Sequence, residues 1–409
     1  MDKTTGVLAQ YVSGLEFDAL SASARHETKR RLIDAIGCGI GGYANEPAAI
    51  ARAMAAEHSG QPSARVLGSA ARTSMEMAAF ANTVMVRYLD CNDTYVSKGS
   101  GHPSDMIPAC LAVADARGAS GRDTLLAIAT AYEVFTGLAD VVGLRELGWD
   151  QGVFVVLGSA AGAAKLLGLT SEQTADALAI AITSSIPTRQ TRAGELAMWK
   201  GCATAAATRA GVFSALLAQK GMTGPTAAFE GRHGLWEQVT GPFELGALGG
   251  KDVPFGIERT NLKFFPSEYH SQAPLWLALD LRNKVRVEDI KAIDVETYYM
   301  AYSEIGSEPE TWDPRTPETA DHSLPYLLAL GFVDGGVTAA SFSDERIRDP
   351  RLRQLMQRIR VSENKEFTQK FPAQLITRIA VTTHAGERLV ETVSFPKGHA
   401  KNPMSDADV

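Results

Sequence analysis

The chain predicts a mainly α protein with a smaller α+β domain: a large all-helical domain plus a small α+β lid domain. Three observations carry that expectation. From residue 1 to about 260, apolar residues recur at helical spacing within alanine- and glycine-rich sequence, and strand signals are few. The stretch from Gly246 to Gly256 is rich in glycine and reads as a boundary. Beyond it, alternating runs with β-branched residues appear at 290–299, 358–361 and 375–383, the last followed by His384-Ala-Gly-Glu387 and a partner run at 388–395. The expected domains are therefore a helical one over 1–260, joined by 396–409, and an α+β one over 261–395.

Taken in order, Ser23 is placed to cap a long helix through Arg31, Leu32 and Ile36 that ends in the glycines from Gly37 to Gly42. A second helix spans about Pro47 to His58, and Ser63 to Gly68 reads as an extended connector. Helices follow at 73–89, 106–117, 121–142, 151–167 and 171–184. Another runs from Glu195 to Lys220, with Trp199, Ala203, Ala206, Ala210, Phe213 and Leu217 forming one apolar stripe at spacings of four and three. In the second part, helices at 272–284, 318–334 and 349–357 lie between strands, and 375–383 with 388–395 reads as an antiparallel hairpin. Residues 396–409 read as a loop leading into a helix that hardly begins.

The totals exclude several classes. The 409 residues are 45% hydrophobic and 21% charged, as in an ordinary globular protein. A net charge of −7 and a pI near 5.7 argue against nucleic-acid binding. No run approaches the roughly 18 apolar residues a membrane span needs, and the N-terminus carries no basic region followed by an apolar one. Cys38, Cys91, Cys110 and Cys202 are scattered without a CxxC pair, which reads as cytosolic thiols and a cytoplasmic protein.

Chemistry concentrates between Tyr88 and Pro108. That stretch gathers Asp90, Asn92, Asp93, Thr94, Lys98, His102, Ser104 and Asp105, with Gly99, Gly101, Pro103 and Pro108 marking its middle as irregular. The same pattern also fits a solvated connection carrying a helix cap. Three histidines share a setting: His102 precedes Pro103-Ser104, His270 precedes Ser271 and Pro274, and His322 precedes Ser323 and Pro325. Each would lie at or before a helix start, where free N–H groups favour anions and disfavour imidazolium. Three unrelated helix starts would give the same spacing. Lys200 beside Trp199, and Lys263 within Asn261-Leu-Lys-Phe-Phe-Pro266, sit in apolar surroundings suited either to pairing with a carboxylate or to snorkelling. No local ligand cluster for zinc or an iron–sulfur centre occurs, nor an HExxH, EF-hand, P-loop, GxGxxG or GxSxG motif. A Cys91 nucleophile is outweighed by a small buried residue. If the chain is an enzyme, cofactor-free proton transfer is the chemistry left.

Asp90-Cys-Asn-Asp-Thr94 with His102-Pro-Ser-Asp105 closely resembles the signature of the MmgE/PrpD family. The resemblance extends through Met198-Trp-Lys-Gly201, the run from Lys263 to Gln272, and Thr319-Ala-Asp-His-Ser-Leu-Pro-Tyr326. It covers nearly the whole chain. That family includes 2-methylcitrate dehydratases, cis-aconitate decarboxylases and iminodisuccinate epimerases. The resemblance implies a site between the two domains, a homodimer, a small polycarboxylate substrate, and no metal or organic cofactor. Asp90, Thr94, His102, Lys200 and Lys263 match positions lining the family's active site. The decarboxylase branch has a functional histidine where this chain has Glu268, whereas the Pro-Ser-Glu-Tyr-His-Ser-Gln run resembles the dehydratase branch, with its histidine at His270. Family chains usually continue into another helix beyond a motif like Pro396-Lys-Gly-His399, so the C-terminal helix is expected to be truncated or absent.

The expected reaction is anti-elimination of water from a hydroxy polycarboxylate such as 2-methylcitrate. His102 takes one proton-transfer role with Asp90 orienting it, and His270 is the candidate for the other. Lys200 and Lys263 neutralise substrate carboxylates. Asp93, Thr94 and Ser104 hydrogen-bond the substrate, and His322 and Tyr326 are further substrate-binding candidates. Which group is acid and which base stays open, as do three alternatives: a cis-aconitate-type decarboxylase, an amino-dicarboxylate epimerase, and a non-catalytic polycarboxylate-binding protein.

Overall fold

Apolar side chains divide between two cores. The larger joins 57 buried residues running from Leu8 to Ile257, and the second joins 25 running from Phe265 to Val381. The computed structural model describes residues 1–409, and it has the expected class, a large helical lobe and a small α+β lobe.

The helical lobe contains α1 (Lys3–Gly14), α2 (Ala22–Gly41), α3 (Glu46–Ala56), α4 (Met75–Tyr88), α5 (Ile107–Arg117), α6 (Gly121–Ala139), α7 (Gly152–Leu167), α8 (Ser171–Ser184) and α9 (Ala203–Gln219). Two short ladders interrupt them, β1 (Ala64–Arg65) with β2 (Arg72–Thr73), and β3 (Tyr95–Val96) with β4 (Ser100–Gly101). Helix α7 is the hub: nearly every residue in it is buried, and α9, α6 and α8 pack on it. Small residues permit that approach. A Cβ on Gly211 of α9 would stand 2.6 Å from the Val156 carbonyl oxygen of α7.

That packing turns α9 around relative to expectation. The helix starts at Ala203, preceded by a 3-10 turn at Met198–Gly201 that holds Lys200. Its buried face is Ala207, Thr208, Gly211, Val212 and Ala215, while Phe213 and Trp199 are each 51% exposed. Close backbone approach selects the small-residue face for the core. Of the expected stripe Ala203 is buried, Ala206, Ala210 and Leu217 are half-buried, and the bulky Trp199 and Phe213 are left outside. Other differences are local. Ser21, not Ser23, caps α2 by accepting from Ala24 N at 2.9 Å, and α2 runs on through Gly37 and Gly39. Helix α1 was not anticipated.

In the α+β lobe, β5 (Ile290–Thr297), β6 (Ile359–Glu363), β7 (Thr377–Thr383) and β8 (Arg388–Val393) form a sheet in the order β6-β5-β7-β8. The expected hairpin is β7 with β8, while β5 and β6 run parallel. Helix α10 (Gln272–Arg282) packs on the sheet. Tyr299–Ile305 forms α11, and the single helix expected at 318–334 is broken at Asp321-His322-Ser323, before Leu324–Asp334. Residues 396–409 form turns rather than a helix and return to α2, where Arg30 Nη2 donates to the Met404 carbonyl at 2.6 Å. No helix is long and apolar enough to cross a membrane.

Candidate active site

Asp90 lies two residues past the end of α4 and is buried. It is the one non-glycine residue with positive φ, at 49°, a conformation that aspartate tolerates better than most. The turn aims its carboxylate into a ring of cations. Arg87 Nη1 donates to Oδ1 at 2.7 Å, and Lys200 Nζ donates to Oδ2 at 2.9 Å. Lys263 Nζ donates to Oδ1 and, at 2.7 Å, to the Asp90 carbonyl. Burial alone would push this carboxyl up, but Arg87, Lys200 and Lys263 together hold it well below the usual carboxylate range.

The β3–β4 ladder folds the chain back so that His102 meets the loop it left. Its Nδ1 is 2.7 Å from the Asp93 carbonyl, an acceptor, so the proton is assigned to Nδ1 and Nε2 is the free base. Nε2 lies 3.9 Å from Asp90 Oδ1, and Thr94 Oγ1 is 3.2 Å from Nδ1. The His102 backbone N–H donates to Gln151 Oε1. Gly101 is required there, since a Cβ would come within 2.1 Å of that oxygen. Burial, then the Arg87 and Lys263 charges, keep the His102 imidazole neutral well below its ordinary value. As expected from the sequence, His102 precedes a helix start, since the 3-10 turn Pro103–Met106 leads directly into α5.

From the α+β lobe come His270, Glu268 and His322. Tyr298 Oη is 2.6 Å from His270 Nδ1, and burial lowers the His270 pKa to about 4. Glu268 accepts from His270 N at 2.6 Å, and its Oε1 is 3.9 Å from His270 Nε2. Burial raises its carboxyl to about 7, against the pull of His322 and Lys263. His322 Nε2 lies 3.9 Å from Asp90 Oδ2, and its Nδ1 pairs with Asp321.

These groups line one cleft between the lobes: Asp90, Thr94 and His102 on one wall, Glu268, His270 and His322 on the other. Lys200 and Lys263 lie behind it rather than in it. Lys200 also bonds both Asp321 oxygens, at 3.2 and 3.1 Å, so its three N–H groups are spent on carboxylates of the protein. Three expected substrate ligands are placed elsewhere. Asp93 is fully buried, accepting from Tyr132 Oη and Ser104 N at 2.8 and 2.9 Å. Ser104 is buried with it, accepting from Asn92 at 2.8 Å. Tyr326 donates to the Ser341 carbonyl at 2.6 Å inside the second core. Each is drawn inward because its polar group has a protein partner there.

Residue reasoning passed over Arg145, Arg189, Arg192, Gln151 and Glu304, all lining the cleft. Arg145 and Arg189 reach across to Glu304 Oε1 at 3.0 and 2.5 Å. The one available signal was the polar run Thr188-Arg-Gln-Thr-Arg192 between alanine-rich helices. Asp90, Asp321 and His322 bring ligand atoms within 4.8 Å of one another, but the Lys200 ammonium already bonds both carboxylates.

A model of the MmgE/PrpD N-terminal domain matches residues 6–247, and one of the MmgE/PrpD C-terminal domain matches residues 265–409. Similar proteins include the mitochondrial 2-methylcitrate dehydratase of Yarrowia lipolytica, 28% identical over 97% of this chain and 80% of its own. The 2-methylcitrate dehydratases of Escherichia coli K12 and Cupriavidus necator are each 29% identical over 96% of this chain and 85% of theirs. With both domain models matched in order along nearly its full length, the chain belongs to the MmgE/PrpD family.

Proposed function

We propose that the protein is a cofactor-independent carbon–oxygen lyase that dehydrates 2-methylcitrate or a close hydroxy polycarboxylate. The observation that carries this reading is the pairing of unlike titrations in one cleft. His102 presents a neutral Nε2 toward ionised Asp90, while Glu268 holds a carboxyl that titrates near about 7. The names of the curated relatives supply the substrate.

In this mechanism His102 Nε2 removes the C–H proton beside a carboxylate. The electron pair of that bond forms the C=C double bond and the C–O bond breaks. Glu268 gives its proton to the departing hydroxyl, which leaves as water. Asp90 stabilises the imidazolium formed on His102, and Lys200, Lys263 and Arg87 keep Asp90 ionised for that purpose. Glu268 replaces His270, the residue expected from the sequence, in the second proton-transfer role, because burial lowers the His270 imidazole to about 4 and leaves it without a proton to give. His270 positions Glu268 and the substrate, and Thr94 and His322 contact the substrate from either wall.

The same reading makes the protein a cytoplasmic homodimer. Four free cysteines support a reducing compartment. The apolar face bearing Ile50, Met54, Trp199 and Phe213, each at least 44% exposed, supports association. The test is proton NMR in heavy water with 2-methylcitrate. The reading expects an unsaturated tricarboxylate with loss of water. Exchange of the C–H without water loss, or release of carbon dioxide, would replace dehydration by epimerisation or decarboxylation.

A further inference from the structure

Two cations of the cleft keep a buried N–H without a hydrogen-bond partner, Arg87 Nε, which faces the Asp105 carboxylate at 3.8 Å, and Arg192 Nη2, which faces no second carboxylate. Arg192 ends a 3-10 turn, Arg189–Arg192, and its Nε donates to Asp150 Oδ2 at 2.5 Å. Asp150 is itself fully buried and held at the start of α7, where Gly152 N donates to Oδ1 at 3.0 Å. Arg192 lines the cleft, and its Nη2 is buried without a hydrogen-bond partner. A buried donor left unpaired is costly, and more so on a charged group. The neighbouring cations differ. Arg145 and Arg189 share Glu304, and Lys200 and Lys263 are committed to Asp90.

The next residue supplies a second relationship. Gln151 accepts the His102 backbone N–H, so adjacent residues at the start of α7 hold the Arg192 guanidinium and the His102 main chain. The distance between a cationic fork and the imidazole is thereby fixed by one peptide unit and the helix behind it. Such a fork suits a carboxylate, which accepts parallel N–H bonds.

We infer that Arg192 is a substrate-binding residue that anchors a carboxylate of the substrate, and that the Asp150-Gln151 pair sets its spacing from the His102 base. This rests on the reading of the cleft as the dehydration site, and it explains how the site binds polycarboxylates when both lysines face the protein.

The test compares full-length wild type, Arg192→Lys and Arg192→Gln. Calorimetry follows binding of tricarballylate, a tricarboxylate with no hydroxyl to lose, and kinetics follow 2-methylcitrate. Arg192→Gln is expected to weaken tricarballylate binding about 10- to 100-fold, with Arg192→Lys in between and KM rising more than kcat falls. Arg209→Gln, on the exposed face of α9, serves as the control of equal charge change. Should Arg192→Gln unfold because Asp150 loses its partner, the double variant Arg192→Gln/Asp150→Asn removes both charges and is expected to show the same loss of binding. Binding within two-fold of wild type in a folded variant overturns the inference, as does failure of wild type to bind tricarballylate at millimolar concentration. Binding by wild type without turnover of 2-methylcitrate, and loss of that binding in Arg192→Gln, would instead overturn the proposed reaction and leave the anchor in place.

Discussion

Lys200 Nζ lies 2.9 Å from Asp90 Oδ2, joining residues 110 positions apart inside the helical lobe, and the same ammonium reaches Asp321 of the α+β lobe. One buried cation therefore ties both walls of the cleft to the carboxylate at its centre. Both lysines are engaged with carboxylates of the protein, and with Arg87 they hold Asp90 ionised.

Removing that carboxylate should be felt first as instability. Asp90→Asn leaves Arg87, Lys200 and Lys263 around a neutral amide with little water to replace the lost charge. Breaking a buried ion pair from one side costs about 3–5 kcal/mol. Denaturant unfolding should report a loss of that order together with loss of activity. A change under about 1 kcal/mol would contradict the ring as described.

Glu268 predicts a pH effect on rate. Its carboxyl, normally near 4.5, is raised to about 7, and only the protonated form can serve the leaving hydroxyl. kcat should therefore fall as pH rises through about 7. In Glu268→Gln it should be low and should lose that alkaline limb. An unchanged limb in the variant would assign the titration to another group.

The same group predicts an effect on stability with a definite sign. A folded pKa above the unfolded one means the folded state binds more protons between about 4.5 and about 7. The stability contributed is fully present below 4.5 and is lost as pH rises through about 7. Glu268→Gln removes the cost of ionising a buried carboxyl, so the variant should gain on the order of 2 kcal/mol over wild type at pH 8. Equal stability of the two proteins at pH 8 would count against a desolvated Glu268.

Gly211→Ala tests the hub. The added Cβ would meet Val156 O, Ser159 Cβ and Ala160 N at 2.6–2.8 Å, all on α7. Alanine improves helix propensity by roughly 0.5–1 kcal/mol, whereas overpacking costs about 1–3 kcal/mol. The clash should win, lowering stability by about 1 kcal/mol or more. A stabilised variant would mean that α7 and α9 are less tightly seated.

Much of this was legible in the chain. Asp90, Thr94, His102, His270 and His322 were singled out by residue type and by motif, and the fold brings all five to the cleft. The α+β hairpin was readable because alternation is a local signal. What escaped was non-local. Whether Asp93, Ser104 or Tyr326 faces substrate depends on partners such as Tyr132, Asn92 and Ser341, which no local spacing reveals. Arg145, Arg189 and Arg192 sit on irregular segments without periodicity, and their value appears only when Glu304 and Asp150 are placed opposite them. The α9 stripe misled because hydrophobicity ranked Trp199 and Phe213 above the small residues that close packing needs.

The most direct test of the central claim is the pair kcat on 2-methylcitrate and tricarballylate affinity, measured on His102→Ala. With the base removed and the anchors intact, kcat should fall by roughly 10²–10⁴-fold while affinity stays within a few-fold of wild type. Turnover at the wild-type rate would show that the proton leaves to some group other than His102.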